Sequence, residues 1–220
     1  MRTGPAALAL VLAVPAAGAE GEPAVAVLET FVASRPHEVA EAAPPRFVLL
    51  EDGQVFVGGA SAVAQGQLEK GELKALLQRL DSVRKLPALA GRVELGSGTE
   101  RYRLLLRRGR PIDMTITGAL DQAAPALRPL ASLLRDLARF DHGTLRPYRP
   151  AQYALRAREA ALPGGCRTWR LPEPPSASVF APRVVPASAV EGWPTGAEPA
   201  SVCHEDKRYV VTFRPMLPGE

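Results

Sequence analysis

The feature that most constrains this fold is a β-hairpin pattern that occurs twice in the sequence. The first, RFVLLEDGQVFVGG (46–59), places two apolar runs around an Asp-Gly pair, a dipeptide that supplies the positive φ of a tight turn. SAVAQGQL (61–68) is expected to add a third strand, with a bulge at Gly66. The second hairpin, YRLLLRRGRPIDMTITG (102–118), turns at Gly109 between runs of alternating residues. An isolated hairpin leaves its apolar face in water, so both must pack against other elements.

A leucine-striped helix is predicted after each hairpin. In KGELKALLQRLDSVRKL (70–86) and APALRPLASLLRDLARF (124–140), apolar residues recur every three or four positions and most charged residues lie on the other side. Two prolines place the start of the second helix near 126–129. We therefore expect an α+β fold in which an antiparallel sheet of four or more strands carries two amphipathic helices on one face, as two ββα-like units.

Residues 1–19 have the three-part pattern of a secretory signal peptide. Arg2 stands before the apolar run ALALVLAV (7–14), and AGA (17–19) provides a small-x-small cleavage site. The apolar run is shorter than the roughly 20 residues of a membrane span. We expect cleavage and export to the periplasm or the medium, with an uncleaved N-terminal anchor as the alternative. The mature chain is expected to have no transmembrane segment.

The remainder is predicted to form a flexible linker and one domain. Residues 20–45 are rich in Ala, Glu and Pro and are assigned to the linker, although 23–34 could form a strand or a short helix. A single α+β domain is expected over 46–220, with an irregular excursion at 172–200 that carries seven prolines. After the excursion, KRYVVTFRP (207–215) is typical of a final strand.

The two cysteines, Cys166 and Cys203, are expected to form a disulfide, because an even pair in an exported protein is normally oxidised. The bond would bracket the proline-rich excursion and stabilise the fold by roughly 4 kcal/mol in the chain-entropy model. Free thiols are the alternative. Trp169 and Trp193 lie near the two ends of the bracketed loop, either as core residues or as exposed anchors for a carbohydrate or a protein.

The charge pattern is unusual at the second hairpin. The formal net charge of +4 is modest, and the abundance of Ala, Arg, Pro and Gly fits a GC-rich coding bias, so we expect no nucleic-acid partner. Five arginines nevertheless lie close together here: Arg101, Arg103, Arg107, Arg108 and Arg110. They either form a patch for an anionic partner, such as lipid headgroups, an acidic glycan or an acidic protein, or mark the solvent-facing side of the sheet.

No residue pattern predicts catalysis. His142 and His204 stand beside acids, but structural zinc uses repeated Cys/His pairs that the chain lacks, so we expect no metal and no cofactor. The Gly-x-Ser-x-Gly elbow is also absent. We expect an exported, non-enzymatic binding or envelope-accessory module whose partner is a protein or an anionic envelope component. The alternatives are an exported hydrolase that uses one of these histidines and a secreted protease inhibitor that presents the bracketed loop.

Overall fold

The computed structural model describes residues 24–31, 46–58, 62–86, 92–160, 164–195, 198–218 and 220. These residues form two helices and two mostly antiparallel sheets, of eight and five strands, so the predicted α+β class is confirmed. The second sheet was not anticipated. Residues 1–19, where a signal peptide is predicted, lie outside the described residues.

The larger sheet contains the two predicted hairpins. Its strands are β1 (Ala24–Phe31), β2 (Phe47–Leu50), β3 (Gln54–Val57), β4 (Ala64–Gln67), β5 (Arg92–Glu94), β6 (Arg101–Leu106), β7 (Ile112–Thr117) and β8 (Arg146–Pro147). Their order is β5-β7-β6-β1-β2-β3-β4-β8, and all neighbours are antiparallel except the parallel pair β5 and β7. The hairpins β2-β3 and β6-β7 therefore lie on opposite sides of β1.

The smaller sheet is built from the C-terminal part of the chain. Its strands are β9 (Gln152–Glu159), β10 (Arg167–Thr168), β11 (Arg183–Pro186), β12 (Ala200–His204) and β13 (Lys207–Pro215). Their order is β10-β12-β13-β9-β11, with only β10 and β12 parallel among these neighbours. Strand β13 has the bounds predicted for a final strand.

Two helices, α1 (Lys70–Arg84) and α2 (Arg128–Ala138), cover one face of the larger sheet. Their stripes include the buried leucines Leu76, Leu80, Leu130 and Leu134. These leucines share one core cluster with inward-facing strand residues, among them Tyr102, Leu104 and Leu106. The stripes predicted from the 3.6-residue period are therefore the sides that the sheet buries.

Strand β1 lies within the segment assigned to a flexible linker (20–45). It pairs antiparallel with β2 on one side and β6 on the other, and so joins the two hairpins into one sheet. Val25, Ala26 and Leu28 on this strand are buried. Of the alternatives left open for residues 23–34, the strand is present over 24–31, because pairing with two distant strands provides burial that composition does not report.

The third strand, β4, forms without the bulge predicted at Gly66. Its register with β3 runs unbroken from Ala64 to Gln67. A Cβ placed on Gly66 would lie 2.8 Å from Thr144 Oγ1, in the loop after α2. Close approach of that loop, rather than a bulge, accounts for the glycine.

Contacts on the second face of the larger sheet join it to the smaller sheet. Val27 and Phe56 form a cluster with Leu217, which follows β13. Tyr148, between β8 and β9, packs against the Phe56 ring with centroids 5.1 Å apart. Its hydroxyl donates a hydrogen bond to the Met216 carbonyl at 2.9 Å. The chain entering and leaving the smaller sheet therefore covers part of this face.

Cys166 and Cys203 are bonded, with their Cα atoms 5.5 Å apart, which confirms the predicted disulfide. The excursion at 172–200 is less irregular than expected. It contains β11, which pairs with β9, and two short 3₁₀ helices, Pro175–Ser178 and Ala187–Val190. The prolines in this segment are typical of a loop, so the sequence did not predict a strand here. Strand β11 lies at the edge of its sheet, where prolines are tolerated, unlike in an internal strand.

Candidate functional site

Within the predicted arginine patch, Arg103 is paired with two carboxylates. Arg103, on β6, holds Asp113 through two hydrogen bonds, Nε to Oδ1 at 3.0 Å and Nη2 to Oδ2 at 2.7 Å. Its Nη1 also lies 3.5 Å from Glu29 Oε2. The Asp113 hydrogen bond raises the pKa of Arg103 and lowers the pKa of Asp113. Two carboxylates thus balance the Arg103 charge, while the exposed members are Arg101, Arg107, Arg108 and Arg110.

Arg108 lies in a groove beside α1 that the sequence did not indicate. A depression of about 340 Å³ is lined by Lys70, Leu73, Lys74, Leu77, Gln78, Asp81 and Arg108. A second depression of about 220 Å³ is lined by Val25, Glu51, Leu77 and Arg108. Because Leu77 and Arg108 line both depressions, the two adjoin, and together we call them the α1 groove.

The α1 groove combines apolar surface with cations that have no ion-pair partner in the described part of the chain. Leu73 and Leu77 are half-buried and pack against the main core cluster. Lys70, Lys74 and Arg108 are exposed, and none of the three forms an ion pair within the described part of the chain. Unpaired cations beside leucine side chains favour a ligand that is both anionic and apolar.

Helix α1 is fixed at both ends, so the fold sets the position of the groove. At its N-terminus, Glu69 and Glu72 form a capping box, in which the Glu69 amide donates to Glu72 Oε2 at 2.9 Å. At its C-terminus, the Arg84 guanidinium lies against the β6-β7 turn. A Cβ placed on Gly109 would be 2.6 Å from Arg84 Nη1, and Gly109 has a φ of +70°. The turn that carries Arg108 is therefore seated on α1.

His142 is brought next to an acid and a hydroxyl. Its Nε2 lies 3.0 Å from Glu72 Oε1, and its Nδ1 lies 2.7 Å from Thr144 Oγ1. The same Thr144 hydroxyl accepts from the Gln67 amide and donates to the Gln67 carbonyl, both at 3.1 Å. A backbone hydrogen bond from Glu69 and the contact with His142 lower the pKa of Glu72. The group ties α1 to β4, and its hydroxyl is already engaged.

His204 lies elsewhere, at the end of β12 opposite Lys207. In the described ranges, no group of three or more His, Cys, Asp or Glu side chains is placed to hold a metal ion. The two histidines singled out in the sequence therefore belong to different parts of the fold. His142 contacts α1 of the larger sheet's helical layer, and His204 belongs to the smaller sheet.

The two tryptophans pack against each other on the smaller sheet. Their ring centroids are 5.8 Å apart, and the Trp193 ring lies 5.5 Å from the Phe213 ring. Trp169 is buried, and its Nε1 donates to the Glu173 carbonyl at 2.7 Å. Trp193 is half-buried. Trp169 is therefore a core residue, whereas Trp193 lies at the boundary between core and solvent.

A scan against protein-family models, a search of curated proteins and a search of solved structures each find no match to this chain. Of the helices in the described ranges, none has the length and apolarity needed to cross a bilayer. Function is therefore inferred from the chain's own residues and their contacts.

Proposed function

We propose that the protein is an exported, non-enzymatic binding module whose α1 groove takes an acidic segment of a partner protein. The observation that carries this proposal is the set of three cations, Lys70, Lys74 and Arg108, around the half-buried Leu73 and Leu77. None of the three has an ion-pair partner among the residues that the structure describes. Export rests on the signal-peptide pattern and is supported by the disulfide, a bond typical of oxidising compartments.

The mixed lining of the groove favours a peptide segment over other anions. Apolar side chains of a partner would cover Leu73 and Leu77, and its carboxylates would meet the lysines and the guanidinium. A glycan lacks the aliphatic side chains that would cover the leucines. The acids Asp81 and Glu51 at the lining would repel an unbroken polyanion, so the partner's acidic groups should be interspersed with apolar ones.

The test uses a fluorescent peptide of alternating glutamate and leucine, with a lysine-leucine peptide of equal length as the probe control. Fluorescence anisotropy should show saturable binding of the glutamate peptide, weakened by added salt because the cations are exposed. Charge reversal in the Lys70→Glu/Lys74→Glu variant should weaken binding at least tenfold, equivalent to about 1.4 kcal/mol.

The matched control compares two single charge reversals. Lys74→Glu lies in the α1 groove, and Arg101→Glu lies outside it. Arg101 belongs to the originally predicted cluster and is exposed on the side of β6 away from the helices. It should leave affinity within twofold. If Arg101→Glu weakens binding as much as Lys74→Glu, or if both peptides bind equally, groove recognition is refuted.

A second candidate, a protease inhibitor, is favoured by one residue of the bracketed loop. Phe180, between the first 3₁₀ helix and β11, is 98 % exposed. A large aromatic side chain held out on a disulfide-bracketed loop could enter the specificity pocket of a chymotrypsin-like protease. Incubation with chymotrypsin distinguishes the outcomes: inhibition abolished by Phe180→Ala supports the candidate, and rapid cleavage after Phe180 without inhibition refutes it.

A further inference from the structure

A second groove lies beside the disulfide, on the smaller sheet. It has a volume of about 400 Å³ and is lined by Arg167, Thr168, Arg170, Glu191, Gly192 and Trp193. We call it the Trp193 groove. Among the described residues, its lining shares none with the α1 groove, and its volume is in the range of small-molecule sites.

The walls of the Trp193 groove are held in place by covalent and hydrogen bonds. On one side, the disulfide anchors β10, and the Trp169 amide donates to the Cys203 carbonyl at 3.2 Å. Across the groove, Arg167 Nη1 donates to the Gly192 carbonyl at 2.9 Å. This hydrogen bond joins two segments that are distant in sequence. Because the groove is ordered without a ligand, binding loses less conformational entropy.

The Trp193 indole is also fixed. Its ring packs against Trp169 and Phe213, and its amide donates to the Val190 carbonyl at 3.0 Å. Because Trp193 is only half-buried and lines the groove, it offers a rigid aromatic surface to a ligand. Aromatic rings in such positions pack against other flat rings and against the C–H faces of sugars.

Two guanidinium groups supply the positive charge. Arg167 uses one of its five N–H donors on Gly192, which leaves others for a ligand. Arg170 is exposed and forms no ion pair within the described residues. Guanidinium groups bind carboxylates through paired hydrogen bonds, so the pair favours a carboxylate-bearing ligand.

The remaining lining discriminates among anions. Glu191 offsets part of the positive charge of Arg167 and Arg170, which favours a singly charged carboxylate over the more highly charged phosphate, and its own carboxylate accepts hydrogen bonds from hydroxyl groups. Thr168 adds a hydroxyl that both donates and accepts. A matching ligand therefore carries a carboxylate, several hydroxyls and a flat C–H face in one small unit. A sugar acid has all three.

We propose that the Trp193 groove binds a carboxylated sugar ring. This chemistry occurs in uronic acids of polysaccharides and in muramic acid, whose lactyl group carries the carboxylate. The proposal is independent of the acidic-peptide function of the α1 groove, because neither site uses the other's residues. An acidic peptide is the competing occupant, and the test includes it.

The experiment titrates the full exported chain with trigalacturonate and, separately, with an N-acetylglucosamine–N-acetylmuramic acid disaccharide. Calorimetry gives affinity, and tryptophan fluorescence reports the site, because the chain has two tryptophans and only Trp193 lines the groove. Saturable binding of either sugar is expected, with a fluorescence change that Trp193→Phe abolishes. The probe that binds more tightly indicates whether the natural ligand is a uronic acid of a polysaccharide or muramic acid.

Variants and probes decide the outcome. Arg170→Ala should weaken binding at least tenfold and Arg170→Lys by less, because lysine keeps the charge but loses the paired geometry. Arg149→Ala removes another exposed arginine, one that does not line the groove, and should leave affinity unchanged. The Lys70→Glu/Lys74→Glu variant should also bind the sugar normally, which separates this proposal from the function proposed above.

Three results would overturn the proposal. Equal affinity for neutral maltotriose would show that the carboxylate of the ligand does not contribute to binding. Equal binding of inorganic phosphate or of the glutamate-leucine peptide would show nonspecific anion capture. Absence of saturable binding to both acidic sugars, with native near-ultraviolet circular dichroism, would remove the site.

Discussion

The contact between Gly118 and Gly96 allows a sharp test of the packing in the larger sheet. Gly118 follows β7 with a φ of +103°, and its amide donates to the Glu100 carbonyl at 3.0 Å. A Cβ added at Gly118 would lie 2.4 Å from the Gly96 carbonyl oxygen and 3.0 Å from the Gly96 nitrogen. Both are backbone atoms, which cannot rotate away as the end of a side chain can.

The expected cost of Gly118→Ala has two parts. A non-glycine residue in the left-handed region costs about 1–2 kcal/mol, and overpacking against fixed atoms adds about 1–3 kcal/mol. The variant should therefore lose about 2–5 kcal/mol of unfolding free energy. In a protein of this size each kcal/mol lowers Tm by about 2–4 °C, so Tm should fall by about 4–20 °C.

The matched control is the same substitution at Gly71, in the first turn of α1. Nothing lies within 4 Å of a Cβ placed there. Alanine is the better helix former, so Gly71→Ala should raise stability by up to about 1 kcal/mol. Urea unfolding followed by circular dichroism, with the disulfide intact, measures both. A change of less than about 0.5 kcal/mol for Gly118→Ala, typical of unconstrained surface sites, would refute the close backbone contact.

Three further perturbations address the core, the α1 N-terminus and the disulfide. Leu134→Ala removes a fully buried side chain of α2 and should cost about 2–5 kcal/mol in chemical denaturation. The pKa of Glu72 is lowered by a backbone N–H and by His142. Ionised Glu72 therefore stabilises the folded state above the ordinary carboxyl pKa, and this stabilisation is lost as the pH falls through the lowered pKa. Glu72→Gln should flatten the acid-side fall in Tm, and an unchanged slope would contradict this. The Cys166→Ser/Cys203→Ser variant should lose about 4 kcal/mol, and a loss below about 1 kcal/mol would show that the bracketed loop is held by other contacts.

The elements whose signals lie in neighbouring residues were predictable from the sequence. The turn at Gly53, the leucine stripe of α1 and the alternation in β6 each depend on spacings of a few residues, and each is present in the structure. Strand β11 was missed because its prolines resemble those of a loop. Its identity as a strand depends on pairing with β9.

The candidate sites were harder to anticipate. The arginine cluster was visible, but the sequence could not show that Asp113 and Glu29 neutralise Arg103. Lys70 and Lys74 stand four residues apart on one helix, a spacing that places them close together. Their importance depends on Arg108, which the fold brings to α1 through the β6-β7 turn.

Sequence alone determined the two hairpins, the two amphipathic helices and the cysteine pair, because turn propensity and residue periodicity act between near neighbours. Only the tertiary structure decided that Ala24–Phe31 joins the hairpins, that the C-terminal strands form a second sheet, and that Arg103 meets Glu29 and Asp113. Those outcomes depend on contacts between residues that are far apart in the sequence. Such contacts form only when the chain folds, so no pattern among neighbouring residues predicts them.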